Sequence, residues 1–188
     1  MQCDFTQTKR MKLLSKDMQS KGVMYFKRPD KLRWQYTSPY DYTFILNGDK
    51  VHLKSAHSTQ NINVQGNKMF RQITSIILNS ITGAGLQSTS DFNVELYQIP
   101  AETPIPERSS PTRSLSRSPI SPSGYFAKLY PKKKEVRQVY NVIEIYFNQS
   151  LTMVSSVKMI EKTGDVTQVN LTNVKPNAVV NEKLFDTH

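Results

Sequence analysis

FKRPDKLRWQYTSPY, residues 26–40, holds four cations and four aromatic side chains in fifteen positions, with Pro29 and Pro39 toward its two ends. Taken as one mixed surface, it would grip a polyanion, phosphates against Lys and Arg and bases against ring faces. Taken as a strand, it sorts the two kinds of side chain onto opposite sides. Pro29 presets φ for a turn at RPDK, and LRWQY then alternates Leu32, Trp34 and Tyr36 against Arg33 and Gln35. Side chains two apart along a strand share a face, so the rings join Leu32 on an apolar surface while Arg33 points away.

The period of two extends outward in both directions. GVMYFK leads into the turn as a strand, and YDYTFIL and VHLKS follow it, joined by NGDK, whose Asn and Gly tolerate φ > 0 and so favour a tight hairpin. Farther on, ELYQ, GYFAKLYP, EVRQVYNVIEIYF with Ile143, Ile145 and Phe147 on one face, LTMVSSVKMIE, and VTQVNLTNV after the turn KTGD read as strands. The expected fold is mainly β, an antiparallel meander with helical additions. One addition is NKMFRQITSIILNSITGAG, residues 67–85, where Met69, Phe70, Ile73, Ile76, Ile77 and Ile81 recur at helical spacing and Gly83 and Gly85 supply a stop. A weaker helical candidate is KRMKLLSKDMQS, residues 9–20.

At 188 residues the chain fits one domain, residues 1–188. The stretch 99–124 departs from the rest: rich in Pro, Ser and Arg, it is too polar to offset its ordering entropy and is expected to be a disordered insert between two strands. A formal charge of +10 favours anionic partners without choosing among them, and the cations are scattered rather than massed, with KKK at 132–134 the one block. This charge keeps a basic nucleic-acid-binding module as the alternative function. Cys3 is the single cysteine, so no internal disulfide forms. No apolar run reaches the ~18 residues of a membrane helix, and the first ten residues lack the apolar core of a secretion signal.

Catalytic patterns are missing. His52 and His57 lack acidic or further histidine partners at ligand spacing and read as surface residues, His188 is terminal, and Asp30, Asp41 and Asp49 occupy turns, where Asp bonds the backbone. ITGAG lacks the GK[ST] of a phosphate loop. The expectation is a non-enzymatic protein with no metal and no cofactor.

The ordered set CDFTQTK, SKGVMYFKRPDKLRWQYTSPY and TFILNGDKV, with LYPKKKEVRQVYNVIEIYFN and VSSVKMIEKTGDVTQVNLTNVKPN behind it, resembles the outer-membrane lipoprotein carrier family, the LolA-like periplasmic lipoprotein chaperones. The resemblance spans nearly the whole chain except the Ser/Pro insert. It implies an open half-barrel antiparallel sheet closed by a helical lid, in the periplasm of a Gram-negative bacterium. It further implies a monomer that takes acylated lipoproteins from an inner-membrane releasing transporter to an outer-membrane acceptor, with no nucleic acid bound. Acyl chains would then lie between Leu32, Trp34, Tyr36, Phe44, Leu46, Ile143 and Ile145 on the sheet and Met69, Ile73, Ile76, Ile77 and Ile81 on the lid. A closed, ordinary core built from the same residues is the other reading of this pattern. Arg28, in the KRP turn, would latch the empty lid by donating to helix-end carbonyls, which lack partners of their own. Met24, Met69, Met153 and Met159 would let the lining repack around different chains. Family members carry a signal sequence and a first helix ahead of FTQ, and neither is expected in this chain. Leu32 replaces an aromatic found just before the RW pair in some members, so transfer partners are expected to differ.

Overall fold

The period-two segments do become strands, and their pairing generates a single antiparallel sheet of eleven. The computed structural model describes residues 1–63, 91–99, 124–148 and 153–186. Six strands come from the first part of the chain: β1 (Gln2–Arg10), β2 (Met18–Lys27), β3 (Lys31–Ser38), β4 (Tyr42–Asn47), β5 (Lys50–Ser55) and β6 (Thr59–Asn63). Five more follow: β7 (Phe92–Ile99), β8 (Gly124–Pro131), β9 (Tyr140–Phe147), β10 (Val154–Glu161) and β11 (Val166–Lys175). A single helical turn, α1 (Lys134–Arg137), and a 3₁₀ turn (Glu182–Phe185) complete the described elements.

The spatial order is β6-β5-β4-β3-β2-β1-β11-β10-β9-β8-β7. Each half is a meander, and the halves meet where β1 pairs with β11, Phe5 opposite Leu171 and Gln7 opposite Val169. The sheet is therefore open, with β6 and β7 as its edges, although these two strands follow one another along the chain. Gly48, at φ 58°, makes the β4–β5 hairpin turn that Asn-Gly favours. Ile99 pairs with Gly124 at the end of the β7–β8 ladder.

Alternation gives the sheet one apolar face. On it Cys3, Phe5, Met24, Phe26, Leu32, Leu46, Val51, Val169 and Leu171 form one buried cluster. A second cluster includes Ala127, Leu129, Ile143, Ile145, Val154 and Val157. The registers place both on the same side, since Phe5 faces Leu171, Val169 faces Val157, and Val157 faces Ile145. The opposite face carries Arg33, Gln35, Lys128 and Glu144, and the 3₁₀ turn docks there against β3 and β4. Phe185 is fully buried in that contact, Arg33 donates to the Leu184 carbonyl (3.2 Å) and Asn47 to that of Phe185 (3.2 Å).

Three expectations change. Residues 9–20 form no helix: they end β1, turn, and begin β2, with Leu13 and Leu14 exposed in the turn and Arg10 paired to Asp17 across it (3.0 Å). Two strands seven residues apart can exchange every ladder bond, which an isolated amphipathic helix of this length cannot match. EVRQ is no strand: α1 takes Glu135 to Arg137, burying Val136, and β9 starts only at Tyr140. His52 is not a surface residue: it lies 5% exposed between β4 and β6, its Nδ1 2.6 Å from Asn61 Oδ1. The helix expected at 67–85 and the insert core, 100–123, fall outside the described residues.

Candidate functional site

The apolar face is built strand by strand from short apolar runs. Phe26, Leu32, Leu46 and Val51 lie side by side across β2, β3, β4 and β5, because Phe26 pairs with Leu32, Leu32 with Leu46, and Leu46 with Val51. The next row holds Met24, Trp34, Phe44 and Leu53. Trp34 packs on Phe5 with ring centroids 4.4 Å apart, and Tyr36 meets the same Phe5 ring edge-on at 5.1 Å. Such ring pairs add about 0.5–1.5 kcal/mol beyond burial. The Trp34 Nε1–H is buried with no hydrogen-bond partner among the described residues.

Close packing here depends on Gly22. A Cβ on it would stand 1.9 Å from the Gln35 carbonyl oxygen and 2.7 Å from Phe5 Cζ. Its missing side chain is what admits the Phe5 ring between β2 and the aromatic row of β3.

Leu32, Trp34, Tyr36, Phe44 and Leu46 thus come together as one surface. Ile143 and Ile145, both fully buried, share that face but lie across it on β9, five strand steps from β3. At about 4.7–4.9 Å per step the two groups stand roughly 24 Å apart along the sheet. They line one face without touching. Met24 is fully buried in the first cluster and Met159 packs on the second. Met69, Ile73, Ile76, Ile77 and Ile81 lie outside the described residues. Leu96 (70% exposed) and Tyr125 (41%) extend the face toward the β7 edge.

Arg28 sits exposed in the β2–β3 turn. On either side of it Lys27 and Lys31 both bind Glu182 of the 3₁₀ turn, Lys31 at 2.6 Å. This pair of ammonium groups holds the Glu182 carboxyl down to about 2. The rings and cations of residues 26–40 are fully separated by the alternation, Trp34 and Tyr36 facing the apolar cluster and Arg33 the 3₁₀ turn. Rings and cations do mix on the far face, where Tyr97, Phe126 and Tyr146 stack in a row at 5.0 and 5.1 Å and Lys128 lies over Tyr97 at 4.9 Å. Stacking covers both faces of Phe126, leaving it no surface for a base. Among the described residues no group of three or more His, Cys, Asp or Glu is placed to hold a metal.

At the Tyr36 end the apolar face opens into a cleft of about 410 Å³, bordered by the polar Gln7, Lys9, Gln19 and Ser20, by Met18 and Pro39, and by Tyr36, Tyr40 and Tyr42. The Tyr36 hydroxyl donates to Gln7 Oε1 at 2.9 Å. Burial pushes both the Tyr36 and the Tyr42 hydroxyl upward in pKa. Lys9 approaches Glu161 at 3.8 Å.

The whole chain, as residues 1–104 and 105–188, matches the family described as outer membrane lipoprotein carrier protein LolA. The chain belongs to that carrier family. A curated member from Methylococcus capsulatus, an outer-membrane lipoprotein carrier protein, is 39% identical over 51 residues, covering 27% of this chain and 24% of that relative's length. Among solved structures, a DUF1329 family protein from Desulfovibrio piger superposes at TM-score 0.50 with 10% identity, over 98% of this chain and 88% of the other. A chain of the Pseudomonas aeruginosa MucA/MucB complex superposes at 0.50 with 9% identity, over all of this chain and 56% of its own length. The two structural likenesses concern the fold alone. The signal for the strands and their apolar face was the alternation, and that for an open sheet was the family resemblance, whereas β6, the 3₁₀ turn and the cleft carried none that short-range patterns could supply.

Proposed function

We propose that this protein is a periplasmic carrier that shields the acyl chains of lipoproteins on the apolar face of its sheet between the inner and outer membranes. The observation that carries the reading is that two apolar clusters lie on one and the same face of an open eleven-stranded sheet, in a member of the lipoprotein carrier family. A carrier needs a large apolar surface without reactive groups, since each methylene withdrawn from water contributes ~0.8 kcal/mol and one long chain on the order of 10 kcal/mol.

In this reading Leu32, Trp34, Tyr36, Phe44 and Leu46 meet the chains at one side and Ile143 and Ile145 at the other. The helix expected over 67–82 covers them as a lid through Met69, Ile73, Ile76, Ile77 and Ile81. Arg28 latches the empty lid. A closed empty form would offset part of the acyl binding energy, which makes hand-over to an outer-membrane acceptor feasible. Donor and acceptor are an inner-membrane releasing transporter and an outer-membrane receptor, as the family's role implies.

The test uses Trp34, the single tryptophan, and an environment-sensitive apolar dye. A diacylated lipopeptide is expected to displace the dye and alter Trp34 emission, and Arg28→Leu to raise dye affinity by loosening the empty form. Unchanged dye and Trp34 signals at saturating lipopeptide would overturn the carrier reading.

A further inference from the structure

The apolar face is not uniform along the strands. Following β3 it passes from Leu32 through Trp34 to Tyr36, and its neighbour β4 passes in register from Leu46 through Phe44 to Tyr42. On β2 the same direction leads from Phe26 and Met24 past Gly22 to Ser20, and on β1 from Cys3 and Phe5 to Gln7 and Lys9. β5 goes from Val51 and Leu53 to Ser55, and β11 from Leu171 and Val169 to Thr167. Five of these six adjacent strands thus change from apolar to polar toward one end, while β2 ends there on the exposed Met18, opposite Lys9.

The two ends differ in more than the usual fraying of strands into solvent. At the Leu32 end the residues stay apolar and buried up to the turns: Leu32 is 0% exposed, Val51 1% and Leu46 2%. At the Tyr36 end the side chains surround open space, the cleft of about 410 Å³. Between the apolar Met18, Pro39 and tyrosine rings that make up most of its wall, its border presents hydrogen-bond donors: the phenols of Tyr40 and Tyr42, the Lys9 ammonium, which also approaches Glu161 at 3.8 Å, and the amide of Gln7, whose carbonyl oxygen already accepts from Tyr36. An amphiphile whose polar head is rich in acceptors and whose tail is hydrocarbon matches both parts in one orientation.

We propose that the cleft bordered by Gln7, Lys9, Tyr40 and Tyr42 is a head-group subsite. It receives the ester and amide carbonyls at the acylated end of a lipopeptide, while the chains run past Trp34 toward Leu32 and Val51. This rests on the carrier reading and fixes the polarity of cargo within it. The peptide then leaves the protein at the β1–β2 and β3–β4 turn end, away from Arg28 and the 3₁₀ turn. A phospholipid carries the same glyceryl esters, so the source of the head is part of the test.

The experiment titrates wild type and the double variant Lys9→Met/Tyr42→Phe with a diacylated lipopeptide, a phospholipid of the same chains, and a hydrocarbon dye without acceptors. The ratio of lipopeptide to dye affinity is expected to fall about tenfold in the variant, the size of one or two lost charged or neutral hydrogen bonds. Orientation is read by Trp34 quenching. Lipopeptide brominated early in its chains is expected to quench more strongly than lipopeptide brominated near the methyl ends. An unchanged ratio, or stronger quenching from the methyl ends, overturns the subsite while leaving the carrier reading intact. Tighter binding of phospholipid than of lipopeptide supports the subsite and overturns lipoprotein as its source. Failure of wild type to bind the lipopeptide at all overturns both.

Discussion

Gly22 shows how much of this sheet depends on a missing side chain. A methyl group there collides with the Gln35 carbonyl and with the Phe5 ring, so Gly22→Ala must push apart β2 and β3 or expel Phe5 from the aromatic row. Overpacking of this kind costs about 1–3 kcal/mol. Urea unfolding should show a midpoint lowered accordingly, with Trp34 emission altered before unfolding begins. The phenols respond to pH instead. Burial raises Tyr36, Tyr42 and Tyr140, and burial together with Glu144, to which its hydroxyl donates at 2.8 Å, raises Tyr146. A raised phenol pKa means that the unfolded chain loses its proton first. The stabilisation is therefore complete below the ordinary value of 10.0 and declines as pH climbs above it. Thermal stability is expected to fall above about pH 10, and less steeply in Tyr146→Phe. The alternation of Leu32, Trp34 and Tyr36 was legible because side chains two apart share a face whatever the tertiary context. The Tyr36 bond to Gln7, 29 residues away, and the burial of His52 beside Asn61 were not, since both depend on which strands become neighbours.

At the scale of elements, the hairpin NGDK and the strands around it could be read from local chemistry, while β6, with only Ile62 apolar in TQNIN, could not. An edge strand with a polar sequence borrows its order from β5, and nothing within five residues announces that. The 3₁₀ turn is a similar case: EKLF is too short for periodicity, and its anchor is a pocket on the outer face of β3 and β4. Phe185→Ala should cost about 3–5 kcal/mol, read as a lowered unfolding midpoint. The Glu182 clasp on Lys27 and Lys31 acts more locally. Its carboxyl is held down to about 2 from an ordinary 4.5, so its contribution is present above 4.5 and fades as pH falls toward 2. Being exposed, it is also screened by salt. Hydrogen exchange at the Leu184 and Asp186 amides is expected to speed up on acidification through that window, and Glu182→Gln to remove the dependence.

For the whole molecule, the mainly β character and the family followed from sequence, but the joining of two meanders into one sheet of eleven did not. Pairing of β1 with β11 spans nearly the full chain and leaves no mark in either strand's own pattern. A ligand bound to the apolar face of the folded sheet and not to the unfolded chain must stabilise it. Lipopeptide at a hundredfold excess over its Kd is expected to add about 2.7 kcal/mol, seen as a concentration-dependent rise in Tm. An unmoved Tm at that excess would place binding elsewhere than on the folded sheet.

The central seam also sets a clock. β1 ends at Arg10 and β11 begins at Val166, so one edge of β1 stays bare until residues 166–175 have emerged. At about 5–20 residues per second that interval lasts on the order of ten seconds or more. Throughout it the nascent chain displays a strand edge beside the apolar side chains of Cys3 and Phe5, the kind of template that recruits foreign strands. The price of a sheet whose halves join in the middle is a long adolescence, and the cell must keep the chain single until its last strand arrives.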